Sequence, residues 1–254
     1  MSTGEKQNSD KPIIGVLEGG TDVASMVIFD PAALPEDYDL TSRGDPVAVI
    51  ERLAEDQMIY WLYTASDGGY NLGVCLGASV PAELAEFAKH IGEAERFAAL
   101  TGRLYFTGAE YAFRRNDSRL RKYPHMGACQ EIPPGVYRMA LYEMDYPEDF
   151  HEELLSKRVS AFTLRVYSLM GFFAPVGCVA TLVLVVSLFS IAWRSLSVRL
   201  SWSVAFLPVC CCLLLLLPIG LSCTKTYRHA KRVHLAIQRE YPAYLACLFI
   251  DGAQ

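Results

Sequence analysis

A histidine and a cysteine four residues apart, His125 and Cys129, have the residue types of a general base and a thiol nucleophile. Such a pair also needs a group that orients the base and donors that hold an oxyanion, and the sequence shows neither. In a strand, residues four apart lie on one face about 13 Å from each other, too far for a hydrogen bond. A membrane-associated hydrolase using this pair is therefore an alternative, and we expect the chain not to be an enzyme.

A cluster of cations lies between residues 114 and 122, with Tyr111, Phe113 and Tyr123 nearby. Clustered cations beside aromatic rings could bind a phosphorylated ligand or anionic headgroups, and a solvated loop is the competing interpretation. The candidate contacts are Arg114, Arg115, Arg119, Arg121 and Lys122.

Metal and cofactor motifs are missing from the sequence. The histidines do not have the HExxH spacing of a zinc site, and the cysteines include no CxxC pair. The glycine pairs Gly19–Gly20 and Gly68–Gly69 match neither phosphate-binding loop pattern, and both predict turns. We therefore expect no metal and no cofactor.

Charge divides the chain into two parts. Residues 1–160 carry a net charge of −11, and residues 161–254 carry +6. Nucleic-acid binding needs clustered Lys and Arg that neutralise phosphates, so the acidic N-terminal part argues against a nucleic-acid partner.

Two apolar runs without charge follow the acidic part. Val166–Trp193 and Leu200–Thr224 each exceed the roughly 20 residues that a helix needs to cross a bilayer. We predict two transmembrane helices at 166–193 and 200–224, joined by a short external loop at 194–199. The lipid bilayer is then an expected partner.

The flanking cations predict the orientation of this hairpin. More Lys and Arg lie before the first run and after the second than in the connecting loop, which favours cytoplasmic N- and C-termini. No signal peptide precedes the acidic part. The cysteines have no disulfide spacing, so we expect free thiols; Cys210–Cys212 are predicted to pack or face lipid, and Cys223 is a candidate for palmitoylation.

The acidic part predicts an α+β domain. Residues 1–11 read as a disordered tail and residues 12–145 as a soluble domain built on an antiparallel sheet. Met58–Ala65 with Tyr70–Gly77 predicts one hairpin, and Met126–Ile132 with Val136–Met144 predicts a second. Helices are predicted from Pro46, with Asp45 as N-cap, and from Pro81 to about Leu100.

A third helix is predicted from Asp145. Pro147 suits the first turn of this helix, and no helix breaker follows it before Gly171, so residues 146–165 are expected to form a continuous helical stalk that enters the membrane. Residues 225–254 are expected to form a basic, amphipathic cytoplasmic tail. Its candidate membrane-surface contacts, which fall within an arc of about 60° on a helix, are Lys225, Arg228, Arg232 and Arg239.

The predicted fold class is α+β, with an antiparallel-sheet cytoplasmic domain, a two-helix transmembrane hairpin and an amphipathic C-terminal helix. The function expected from it is a membrane-anchored cytoplasmic interaction or regulatory module with an unidentified protein partner. Besides the hydrolase, a subunit of an oligomeric channel or transport complex is an alternative, although neither apolar run has a polar stripe or a GxxxG motif to direct assembly.

Overall fold

The computed structural model describes residues 13–77, 79–170 and 220–250. These residues form nine strands in two sheets, with flanking helices. The chain divides into two compact units, residues 1–147 together with 238–254, and residues 148–237. The first unit contains both sheets.

The larger sheet has five strands in the order β1-β4-β9-β8-β5, and the smaller has four in the order β3-β2-β6-β7. Neighbouring strands are antiparallel except β4 and β9, which are parallel. The strands are β1 Ile13–Thr21, β2 Ser25–Phe29, β3 Tyr60–Tyr63, β4 Gly68–Leu76, β5 Ala88–Ala99, β6 Arg103–Gly108, β7 Gly127–Glu131, β8 Gly135–Met144 and β9 Tyr244–Ile250.

The main core lies between the two sheets. Alternate residues of each strand enter it, as period-two geometry requires. Met26 and Ile28 of β2 meet Leu72 and Val74 of β4 within this core. Val27 and Phe29 of β2 are buried on the opposite face, so β2 is buried on both faces.

Short helices cover that opposite face of the smaller sheet. They are α1 Tyr38–Thr41, α2 Pro46–Ala54 and α3 Ser118–Lys122. Ile50 of α2 is fully buried there, and Leu120 of α3 packs against the same cluster. Asp45 Oδ1 accepts the N–H of Ala48 at 3.1 Å, which confirms the predicted N-cap.

Both predicted hairpins are wrong, for the same reason. Each pair of strands is adjacent in sequence and joined by a turn, but its members belong to different sheets. β3 pairs with β2 and β4 pairs with β1, while β7 pairs with β6 and β8 pairs with β5. A turn sequence predicts where the chain changes direction. It does not predict whether the next strand belongs to the same sheet or to the other one.

The helix predicted from Pro81 to about Leu100 is also wrong, because most of this range is β5. β5 has register shifts between His90 and Gly92 and between Ala94 and Phe97. At each shift, the strict alternation of apolar and polar side chains along the strand is interrupted. The resulting spacing resembles that of a helix.

The Gly19–Gly20 pair lies within β1, not in a turn. A Cβ at Gly19 would lie 2.8 Å from the carbonyl oxygen of Phe106, so only glycine lets β1 approach β6 this closely. The actual change of direction follows β1, where Ala24 has φ 50°.

The C-terminal segment is part of the first unit. β9 lies between β4 and β8, and its residues 244–248 are buried. Asn71 fixes the approach to β9, since its side chain donates to Gln238 O at 2.7 Å and accepts from Ala243 N. Residues 244–250 therefore form a central strand of the larger sheet, a feature that the predicted tail did not include.

The predicted continuous stalk is broken. Helix α4, Phe150–Arg158, ends at Val159, which is extended (φ −126°, ψ 158°). Ser160 Oγ then accepts the N–H of Thr163 at 3.3 Å and caps a second helical stretch over residues 161–170. A serine cap separates two helices here without a glycine or proline.

The predicted membrane spans fall mainly on residues 171–219, outside the described part of the chain. Within residues 13–77, 79–170 and 220–250, no helix has the length and apolar character needed to cross a membrane. This finding corrects the predicted fold class, the membrane assignment and the two-span location with cytoplasmic termini. The described residues form two sheets with flanking helices, and no transmembrane hairpin is seen among them.

Candidate functional site

The structure does not bring His125 and Cys129 together as a catalytic pair. His125 is exposed in a short 3₁₀ turn, Pro124–Met126, and its ring faces Tyr123. Cys129 is exposed on β7, opposite Tyr105 of β6. Its side-chain partners are Arg103 and Tyr105. No hydrogen bond joins His125 to Cys129 in the described structure, so the geometry does not favour the hydrolase alternative.

The residues from 114 to 122, here called the basic segment, are held by an acidic residue that the sequence analysis did not single out. Asp39 accepts three backbone N–H groups, from Arg114 at 2.8 Å, Arg115 at 2.9 Å and Asn116 at 3.0 Å. Burial by itself would raise the pKa of Asp39. The three backbone donors and the Arg115 cation outweigh it, so the pKa of Asp39 is lowered.

Most cations of the basic segment already have partners inside the protein. Arg114 donates to Pro31 O at 2.9 Å, and its side chain is only 18% exposed. Arg115 lies 3.4 Å from a carboxylate oxygen of Glu36, and Arg121 lies 2.9 Å from one of Asp117. These three predicted ligand contacts are therefore already engaged with other groups of the chain.

Arg119 and Lys122 differ from the rest of the basic segment. Both are exposed, and in the described structure neither lies within 4 Å of a carboxylate oxygen. They line an open cavity of about 510 Å³, which we call the tyrosine cavity. Its lining residues are Glu110, Tyr111, Ser118, Arg119, Lys122 and Tyr123.

The tyrosine cavity has a fixed wall. Tyr111 donates its hydroxyl to Asp22 Oδ2 at 2.7 Å, and its ring lies edge-on to Tyr123 with centroids 6.1 Å apart. Glu110 accepts from Asp22 N at 2.7 Å and from Thr21 Oγ1 at 3.3 Å. Burial raises the pKa of Glu110, more than these hydrogen bonds lower it.

The second basic region lies on helix α5, Lys225–Glu240. Lys225, Arg228, Lys231 and Arg232 are exposed and, with Leu235, line an open groove of about 580 Å³. We call these five residues the groove face. Lys231 and Leu235 were not among the predicted contacts, although both lie within one helical turn of Arg228 or Arg232.

The cations of the groove face have no acidic partner in the described structure. None of them lies within 4 Å of a carboxylate oxygen there. Arg228 donates to Cys223 O at 2.7 Å and Arg232 to Arg228 O at 3.3 Å, and both acceptors are backbone carbonyls. The positive charge of this face is therefore not neutralised by carboxylates of the described chain.

Arg239, the remaining predicted surface contact, is engaged elsewhere. Its Nε lies 3.2 Å from Glu18 Oε1 in the first unit. The prediction that the other three cations meet a membrane surface stays a prediction.

Aromatic packing fixes the start of α5. Tyr227 stacks on Tyr167 with centroids 5.7 Å apart, and His234 lies 5.6 Å from the same ring. Burial lowers the pKa of His234, and nearby His151 lowers it further, so the His234 ring is neutral at neutral pH. The cations are thus presented from an anchored helix.

In the described parts of the chain, no three His, Cys, Asp or Glu side chains converge as metal ligands would. Cys75 and Cys247, which face each other on β4 and β9, are buried thiols. Cys223 is exposed, and Cys210–Cys212 lie outside the described residues.

No protein-family model matches the chain. No curated protein sequence matches it either. Among solved structures, a protein described as "Crocagin biosynthetic gene J" gives a TM-score of 0.32 at 18% sequence identity, covering 54% of this chain and 77% of that one. A likeness this distant supports no conclusion about fold or function.

Proposed function

We propose that the chain is a non-catalytic interaction module whose groove face binds an acidic segment of a partner protein. The observation that carries this proposal is the set of four exposed cations in one groove with no carboxylate within 4 Å in the described structure. Concentrated positive charge raises the local concentration of anionic partners and speeds their association.

The composition of the groove face favours a polypeptide segment. The four cations lie beside the apolar Leu235, so an extended acidic chain could place carboxylates on the cations and one apolar side chain on Leu235. Arginine also binds carboxylates through two parallel N–H donors, which suits Arg228 and Arg232.

A direct binding experiment tests the proposal. A fluorescein-labelled peptide of glutamates around a central leucine is titrated with the full chain, and anisotropy is measured from low salt to physiological ionic strength. Binding should weaken as salt rises, because exposed charges are screened. The R228Q/R232Q variant should bind about tenfold more weakly, equivalent to about 1.4 kcal/mol.

Two controls make the result specific. The R115Q/R121Q variant removes the same charge from the basic segment and should bind the peptide as the original chain does. Vesicles of phosphatidylserine and phosphatidylcholine provide the competing surface. Tight binding to vesicles with no measurable binding to the peptide would reject the acidic-segment proposal, as would equal losses in both variants.

A further inference from the structure

The tyrosine cavity combines two kinds of surface that one small ligand can use together. Tyr111 and Tyr123 present neighbouring rings at 6.1 Å, and Arg119 and Lys122 supply two cations. A volume of about 510 Å³ lies in the range of small-molecule sites and is much larger than an inorganic ion requires.

The polar groups of the cavity are held in place before any ligand arrives. Arg119 uses one donor, Nη1, on Glu110 O at 2.9 Å, which leaves the other N–H groups of its guanidinium for a ligand. Lys122 Nζ lies 5.1 Å from the centroid of the Tyr123 ring, so cation and ring adjoin each other. Fixed donors lose less conformational entropy on binding than mobile ones.

The one carboxylate in the lining is occupied by the protein itself. Both oxygens of Glu110 accept hydrogen bonds, from Thr21 Oγ1 at the end of β1 and from Asp22 N in the loop that follows. Their orientation toward this loop limits the repulsion of an anion beside Arg119 and Lys122. The cavity therefore favours a ligand that is anionic at one end and aromatic at the other.

We propose that the tyrosine cavity binds a phosphate monoester that also carries a planar aromatic ring, with the phosphate on Arg119 and Lys122 and the ring against Tyr111 and Tyr123. A phosphate monoester carries a charge between −1.5 and −2 near neutral pH, which roughly matches two cations. Its three terminal oxygens accept from both guanidinium and ammonium donors. This site lies in the first unit and is independent of the groove face.

Calorimetry with three probes tests the proposal on the full chain. Adenosine 5′-monophosphate contains both parts of the ligand, adenosine contains only the ring system, and inorganic phosphate contains only the anion. The monophosphate should bind at least about tenfold more tightly than either fragment, because both surfaces contribute. Binding of inorganic phosphate as tight as that of the monophosphate, or no binding of the monophosphate, would overturn the proposal.

Matched variants locate the binding. R119Q/K122Q should weaken monophosphate binding about tenfold or more, while R115Q/R121Q, which removes the same charge from the same segment, should leave it unchanged. Y123L should weaken binding of the monophosphate and leave the response to inorganic phosphate unaltered. Equal losses in the two charge variants would mean general attraction to a basic segment, and would contradict a defined site. Circular dichroism confirms that each variant is folded.

Discussion

The basic segment and the groove face contain similar residues, yet the protein uses them differently. In the basic segment, Asp39, Glu36 and Asp117 bind the backbone or the guanidinium groups of three arginines. On the groove face, the hydrogen bonds of Arg228 and Arg232 go to backbone carbonyls. A run of cations in a sequence therefore does not reveal which of its charges remain available to a partner.

The two regions also differ in what their charges do to stability. In the basic segment, the ion pairs and the hydrogen bonds to Asp39 hold a loop in place. The groove face instead places like charges three or four residues apart on one helix, as at Arg228 and Arg232, and like charges at that spacing destabilise a helix by a few tenths of a kcal/mol. Retaining such repulsion is typical of a binding surface, where stability is reduced for function.

The largest effect should come from Asp39. The D39A variant leaves three backbone N–H groups without their carboxylate and should lower the free energy of unfolding by about 3 kcal/mol. Urea unfolding measures this change. E36Q is the control, because Glu36 makes only exposed ion pairs, and it should cost less than about 1 kcal/mol. Similar losses in the two variants would show that Asp39 does not organise the basic segment.

The stabilisation from Asp39 should also depend on pH. Since its folded pKa is lowered, its contribution is fully present above the ordinary pKa of 3.8 and disappears as the pH falls through the lowered folded pKa. The stability difference between the original chain and D39A should therefore shrink at acid pH. An unfolding series at decreasing pH provides the measurement, and a difference that stays constant would contradict the assigned role.

Glu110 of the tyrosine cavity should show the opposite sign. Because its folded pKa is raised, its contribution to stability is present below the ordinary pKa of 4.5 and is lost as the pH rises through the raised folded pKa. E110Q keeps an acceptor for Asp22 N and removes this titration. Its unfolding free energy should lack that decline with pH. Parallel pH profiles for E110Q and the original chain would rule out the buried carboxylate as the cause.

The smallest predicted changes in stability should have opposite signs in the two basic regions. R115Q/R121Q should destabilise the chain by less than about 1 kcal/mol, because two exposed ion pairs are lost. R228Q/R232Q should be neutral or stabilising by about 0.3 kcal/mol, because helical repulsion is relieved. Thermal unfolding under identical conditions compares them. A clear loss in R228Q/R232Q would indicate that these arginines support the fold.

Local signals in the sequence predicted local structure well. The Asp45 cap and Pro46 placed α2, and the Pro133-Pro134-Gly135 turn located β7 and β8 on either side of it. Strand pairing was not predictable in the same way, because it depends on contacts between distant segments. The turns at residues 64–67 and 132–134 each connect strands of different sheets, and no local residue encodes that change.

Two errors of the sequence analysis have specific physical causes. The register shifts in β5 imitate helical spacing, and the helical region breaks at Val159, before Ser160 caps the next helix, although residues 150–170 contain no glycine or proline. The central position of β9 could not be inferred either. An apolar segment after a basic helix resembles a tail unless its partners β4 and β8 are known.

For the candidate sites too, the sequence predicted local features but not contacts between distant residues. Residue types drew attention to two basic regions, but only side-chain partners separated Arg119 and Lys122 from Arg115 and Arg121. Asp39 and Glu110 were missed because carboxylates that bind the backbone of a distant loop have no sequence signature. Lys231 and Leu235 could have been predicted from the sequence, since helical spacing places them beside Arg228 and Arg232.

A charge-reversal experiment tests most directly whether the groove face, and not the basic segment, binds an acidic partner. R228E/R232E and R115E/R121E are each titrated with a glutamate-rich peptide and with a lysine-rich peptide of the same length. We predict that R228E/R232E no longer binds the glutamate-rich peptide and binds the lysine-rich one instead. R115E/R121E should still prefer the glutamate-rich peptide. The same exchange of preference in both variants, or in neither, would contradict the distinction between the two basic regions.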